Sequence, residues 1–382
     1  MLSPEALAYG TLLIAGALLL RRPSRAGLAL RRQHGTIDGL PVQLHTLTNA
    51  RGVEVSVSEF GATLTSVRVP DIHGRIGEIT LGLRSLADYV ADNPFLGSTV
   101  GRYANRLAGG QLTIDGRALA LARNNHGHHL HGGLRGFDKR VWKSEAIRTA
   151  DASSVRLTYV SPDGEEGYPG TLGATVTYTL PDDADELTID FAATTDAPTA
   201  CNLTNHVFFN LAGQGGILDH RLTLRADRIV PVDATLIPTG EFMEVTDTPF
   251  DFRRPHAIGE RIEAPSDQLR RARGYDHCYV LGPDQTLQSA AFVSEPTSGR
   301  TLEVLTDAPG LQFYTGNFLN GTVQGRWPKP FAFREGLCLE PGLFPDSPNQ
   351  PAFHRLGAPS GILRPGEQYA RKLVFRFGVV RG

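Results

Sequence analysis

Between Cys201 and Gly213 the chain reads CNLTNHVFFNLAG, which sets one imidazole, His206, among three asparagines, a threonine and two phenylalanines. Asparagine and glycine are poor strand formers and phenylalanine a good one, so the segment reads as a strand end that shapes a polar pocket with an aromatic wall. Amides and an imidazole beside aromatic rings suit a ligand with hydroxyls on its edges and C–H groups on its faces, as in a sugar. A second chemical group stands in FREGLCLEPG, residues 333–342, where Glu340 ends an apolar run. Such a carboxylate either reaches water at a strand end or is buried, with a raised pKa and a task. One histidine and one glutamate facing each other across a pocket form a general acid–base pair, able to take a proton from one hydroxyl while delivering one to another oxygen.

Three further polar islands are present. In VGRYANRLAGG, residues 100–110, Asn105 and Arg106 precede a glycine turn, and Arg106 either pairs with a surface carboxylate or faces a ligand. In NNHGHHLHGG, residues 124–133, His126, His128, His129 and His131 invite a zinc reading, but their spacing matches no helix-borne zinc motif and no metal is expected. His131 is set apart by Gly132 and Gly133, whose missing side chains would let a ligand approach the backbone. In RGYDHCYVL, residues 273–281, Asp276 is a turn former or a pocket carboxylate. No nucleophile elbow, phosphate-binding glycine loop or dinucleotide fingerprint accompanies these groups, which leaves cofactor-free proton transfer as the class of chemistry.

The elements that must position these residues read as strands. Alternating runs recur at 53–60, 63–70, 111–116, 154–160, 174–180, 186–191, 220–226, 301–306 and 372–377, with glycine, proline, aspartate and asparagine between them. Helical patterns are confined to 83–90 and 264–272. With 42 glycines and 25 prolines against 2 methionines, the 382-residue chain reads as an all-β protein whose sheets close or stack. No break interrupts 35–382, which reads as one domain. The formal net charge of -2 with no basic block argues against a nucleic-acid partner, and Cys201, Cys278 and Cys338 form no pairing pattern. Nothing in the pattern bears on oligomeric state.

Residues 1–34 stand apart as an extension. Positions 6–20 are apolar apart from Tyr9 and Thr11, and Arg21, Arg22 and Arg25 follow. The run is short of the roughly 20 residues of a spanning helix, and Glu5 before it with arginines after it is the wrong polarity for a secretory signal. It is either a membrane contact, whose arginines would keep the domain cytoplasmic, or a dispensable extension.

Taken together, the islands resemble those of the aldose 1-epimerases, the galactose mutarotase family, from about Gly35 to Phe377. GRYANRL, LHGGLRGFDKRVW, SPDGEEGYPG, NLTNHVFFNLAG, PVDATLIPTG, FYTGNFL and CLEPG occur in the family's order and approximate spacing. The resemblance implies a large antiparallel β-sandwich with a monosaccharide site on the concave face of a long sheet. It also implies interconversion of the anomers of free aldoses such as galactose and glucose, without metal or cofactor, in the cytoplasm. On the same basis Glu340 is the proton acceptor at the C1 hydroxyl and His206 the proton donor at the ring oxygen, protonated near neutral pH. Asn105, Arg106, His131, Asp276 and Gln312 resemble hydroxyl-binding positions, with Val207 and Phe208 lining the pocket beside His206. Pro341 and Gly342 follow Glu340 where many relatives carry Thr-Gln, which leaves open what orients the base. A non-catalytic carbohydrate-binding module and a hexose-phosphate mutarotase on the same fold are the competing readings.

Overall fold

The computed structural model describes residues 30–91, 93–282, 286–355 and 357–380. Strand positions follow the alternation closely: Leu172–Pro181 buries every second side chain, as a strand with one face on a core must. Its neighbours form a nine-stranded antiparallel sheet in the order Lys143–Arg148, Ala152–Ser161, Leu172–Pro181, Glu186–Thr195, Tyr369–Val379, Arg300–Thr306, Gln288–Ser294, Arg221–Leu224 and His256–Ala257.

Two five-stranded antiparallel sheets accompany it. One runs Leu30–Ile37, Leu40–Thr48, Glu54–Ser58, Thr63–Pro70 and Ile76–Glu78; the other runs Met243–Glu244, Arg228–Val230, Asp276–Val280, Gly310–Tyr314 and Cys338–Gly342. All three meet in one hydrophobic core, where Val55 and Val67, Val176 and Phe375, and Leu311 and Phe313 join a single cluster. This is the expected all-β sandwich of stacked antiparallel sheets. The two expected helices are present in shortened form as Leu86–Val90 and Asp267–Ala272, the first with a capping box between Ser85 and Asp88. A further short helix, Pro351–His354, has no periodic signal in the sequence.

The strand Leu30–Ile37 pairs along its length with Leu40–Thr48, so the boundary expected between residues 34 and 35 falls inside a strand. The apolar run 6–20 lies outside the described residues. Among the described residues no helix is long and apolar enough to cross a membrane.

Candidate active site

The last of these sheets builds one wall of a pocket. Alternation sends Leu311, Phe313, Leu337 and Leu339 into the core, and leaves Gln312, Tyr314 and Glu340 on the opposite face. Gln312 lies directly opposite Glu340 in the antiparallel register, and Asp276 opposite Tyr314. Gln312 Nε2 donates to Asp276 Oδ1 at 2.6 Å. Asp276 is therefore a buried pocket carboxylate rather than a turn former. Pro341 and Gly342 continue the same ladder opposite Leu311 and Gly310, and the backbone N–H of Leu343 donates to Asn202 Oδ1 at 3.1 Å. Glu340 is thus oriented by its strand, and neither Pro341 nor Gly342 offers a polar side chain beside it.

His206 comes from the facing segment. Its backbone N–H donates to the Ser98 carbonyl and its carbonyl accepts from Gly97, both at 2.9 Å, just after the two-residue strand Thr204–Asn205. Its Nε2 lies 3.7 Å from Glu340 Oε2, and both side chains are buried. Phe208 packs its ring 5.1 Å from the imidazole and lines the pocket. Val207 does not: its side chain belongs to the main core, because neighbours in extended backbone point to opposite faces.

The asparagines around His206 also differ from the reading that made them ligand-facing. Asn205 donates to the Gly97 carbonyl at 2.8 Å, Asn202 to Ala104 at 3.2 Å, and Asn210 to Gly215 and Glu335 at 2.7 and 2.8 Å. They satisfy buried irregular backbone, whose polar groups need partners that no ladder supplies.

Asn105, Arg106 and His131 close the site from a third side. The two-residue strands Arg106–Leu107 and His129–Leu130 pair, which brings the His131 ring beside Asn105. The Asn105 N–H donates to His131 Nδ1 at 3.2 Å, and Asn105 Oδ1 accepts from the Arg106 N–H at 2.8 Å. Arg106 is buried, not a surface charge, and its Nε has no partner among the described residues; Gln312 Oε1 is in the same condition. Two unsatisfied polar atoms in one pocket are groups prepared for a polar ligand.

The other histidines divide by burial. His129 is buried and meets the Tyr168 hydroxyl at 2.6 Å, His128 accepts from the Gly109 N–H at 2.9 Å, and exposed His126 stands at the pocket edge. Gly132 and Gly133 are not an approach for a ligand. Their φ values are +88° and +111°, and a Cβ would lie 1.7 Å from the Gly101 carbonyl oxygen and 2.2 Å from the Glu166 carboxylate respectively. Glycine is required there for a turn packed on backbone and on Glu166.

His131, His206 and Glu340 bring one ligating atom each within 4.8 Å of one another. The Asn105 N–H, by donating to Nδ1 of His131, places that neutral ring's proton on its other nitrogen. That nitrogen is a hydrogen-bond donor to a ligand, not a lone pair for a metal. Aromatic walls complete the pocket: Phe95, with its ring 4.7 Å from His131 and 5.8 Å from His206, and Phe318, stacked on Tyr314. Neither Phe95 nor Phe318 was singled out from the sequence; Tyr314 and Phe318 lie in FYTGNFL, where aromatic density was the available signal.

Burial governs the electrostatics. It lowers His206 to about 4 and holds His131 well below the ordinary imidazole range, the latter helped by the charges of His206 and Arg106. Burial first and the Asp276 charge second push Glu340 well above the ordinary carboxylate range, with Arg106 opposing. Burial likewise raises Asp276, and Arg106 opposes it. Burial thus works against charge on both groups, against an imidazolium at His206, in tension with the expectation that it is protonated near neutral pH, and against the carboxylate form of Glu340.

The site is thus a buried histidine–carboxylate pair inside a rim of arginine, amide and carboxylate groups, held by antiparallel sheets. The family model described as aldose 1-epimerase matches residues 43–376. The galactose mutarotase of Sus scrofa is 42% identical over 347 residues, 90% of this chain and 95% of its own. The aldose 1-epimerase of Escherichia coli (strain K12) is 42% identical over 342 residues, 89% of this chain and 96% of its own. The crystal structure of galactose 1-epimerase from Lactobacillus acidophilus NCFM superposes with a TM-score of 0.81 at 30% identity, covering 93% of this chain and 100% of that one. This chain belongs to the aldose 1-epimerase family. It is a mutarotase, an isomerase acting on carbohydrates.

Proposed function

We propose that the chain interconverts the α and β anomers of free aldohexoses such as galactose and glucose, with Glu340 and His206 as its acid–base pair. The observation that carries this is the 3.7 Å separation of His206 Nε2 and Glu340 Oε2 in a pocket where Arg106 Nε and Gln312 Oε1 have no partner among the described residues. In the ring-opening step the Glu340 carboxylate takes the proton of the C1 hydroxyl, the C1–O5 bond breaks, and O5 takes the Nε2 proton of His206. C1 becomes an aldehyde, rotation about C1–C2 exposes its other face, and the same two transfers in reverse close the opposite anomer.

The pair carries one proton before and after each step. In the ion-pair form it is ready to open the ring, and in the neutral form to close it. Burial favours the neutral form of the pair, and sugar hydroxyls that donate to Glu340 and accept from His206 offset that preference. Each group is asked for about a hundred- to ten-thousand-fold, the range of general acid–base catalysis. Arg106, His131, Asp276 and Gln312 then select sugars by hydroxyl, because a missing hydroxyl leaves a buried polar group unpaired.

A hexose phosphate would need several cations at the rim, whereas Arg106 is the one arginine or lysine among the described pocket residues, and its charge already acts on Glu340 and Asp276. Polarimetry on freshly dissolved α-glucose and α-glucose 6-phosphate separates the readings. Acceleration of the free sugar supports the proposal; acceleration of the phosphate alone, or calorimetric binding with no acceleration of either, overturns it.

A further inference from the structure

We propose that Cys338 is the positioning residue of the acid: its sulfur accepts the Nδ1–H of His206 and holds the ring so that Nε2 faces Glu340 and the sugar. The inference deepens the mutarotase reading and rests on it. Cys338 Sγ lies 3.7 Å from His206 Nδ1. Cys338 precedes Glu340 by two positions in the strand Cys338–Gly342, so both side chains leave the same face, and one strand presents the base and the partner of the acid. The thiol is fully buried in a cluster with Phe208 and Tyr314, which leaves it little freedom to move off the imidazole.

The chemistry requires an acceptor at that place. His206 gives a proton from Nε2 and regains it at the same nitrogen, so Nδ1 must keep its own proton in both forms, and its partner must be able to accept. A carboxylate there would raise the proton affinity of the ring and weaken the acid. A thiol sulfur is a weak acceptor that orients the ring without adding charge. Burial, then Glu340 and Asp276, push the Cys338 thiol well up, so it stays uncharged throughout. The other ionisable groups around the ring are Glu340, His131 and Tyr314, with Arg106 and Asp276 beyond Glu340.

The test compares wild type, Cys338→Ala and Cys338→Ser by polarimetric kcat and KM across pH, with 15N NMR of the His206 ring in the wild type. Cys338→Ala should lose roughly ten- to a hundredfold in kcat with KM unchanged, the scale of a slightly misplaced catalytic group. Cys338→Ser should recover most of kcat and, as a stronger acceptor, move the acid limb to higher pH. The NMR should show the neutral ring with its proton on Nδ1.

Wild-type kcat and an unmoved acid limb in Cys338→Ala would overturn the assignment, as would a neutral His206 protonated on Nε2 alone. If Cys338→Ala fails to fold, the serine variant and the wild-type NMR still decide. A wild type that does not accelerate mutarotation sinks the functional reading instead, while the NMR continues to report on the Cys338–His206 contact.

Discussion

Gln312 spends its amide N–H on Asp276, at 2.6 Å, and leaves its own Oε1 buried without a partner among the described residues. The first contact fixes the amide orientation, and the second makes the carbonyl oxygen an acceptor waiting for a ligand hydroxyl. Gln312→Met keeps the length and removes both contacts. It should weaken sugar binding by about 1–3 kcal/mol, the cost of an unmet buried polar contact, and leave kcat less affected. Calorimetric titration with galactose or glucose measures this, and an unchanged affinity would exclude a binding role for Gln312.

The pH profile of kcat/KM, which reports the protein before sugar binds, follows from the pair. Activity needs one proton shared by His206 and Glu340, so it falls when a second proton is gained or the only one is lost. Burial lowers His206 to about 4, so the second proton arrives only as pH drops through that region, not at the ordinary imidazole value of 6.5. The resident proton is lost only well above the ordinary carboxylate range, where Glu340 is raised. The profile should be flat through pH 6.5, with an acid limb near 4; an acid limb centred at 6.5 would show that His206 titrates as an exposed ring.

Asp276→Asn tests the second cause of the Glu340 shift. Removing a neighbouring negative charge stabilises the Glu340 carboxylate, which lowers its pKa, so the alkaline limb of kcat/KM should move to lower pH while KM rises. A limb that stays in place or moves upward would mean that the two carboxylates do not interact.

Gly132→Ala addresses the fold beneath His131. At φ +88° the added Cβ would stand 1.7 Å from the Gly101 carbonyl oxygen, so strain and a backbone clash combine. A loss of more than about 1 kcal/mol is expected, read as a lower Tm in thermal denaturation. A wild-type Tm would mean that this turn relaxes freely.

The sheets were legible because the alternation in stretches such as 174–180 and 301–306 has a direct physical cause, one face on a core. Glu340 and Asp276 were visible as carboxylates bordering apolar runs. What joins them to His206 is pairing between distant strands, and no local pattern states a register; only the resemblance to a family supplied it. The asparagines misled because the demand of irregular buried backbone for partners looks, in sequence, like a polar pocket. Gly132 and Gly133 misled in the same way, their missing side chains serving the chain's own packing. Phe95 went unnoticed because a single aromatic residue in a loop carries no periodic signal, although its ring lies 4.7 Å from His131.

The central claim is that Glu340 and His206 move the protons of anomer exchange. Return of freshly dissolved α-galactose to anomeric equilibrium, followed by polarimetry with wild type, Glu340→Gln and His206→Asn at matched concentration, tests it most directly. The account predicts clear acceleration by the wild type and a loss of about a hundredfold or more in each variant, with sugar binding retained. Near wild-type rates in either variant, or a wild type no faster than buffer, would contradict it.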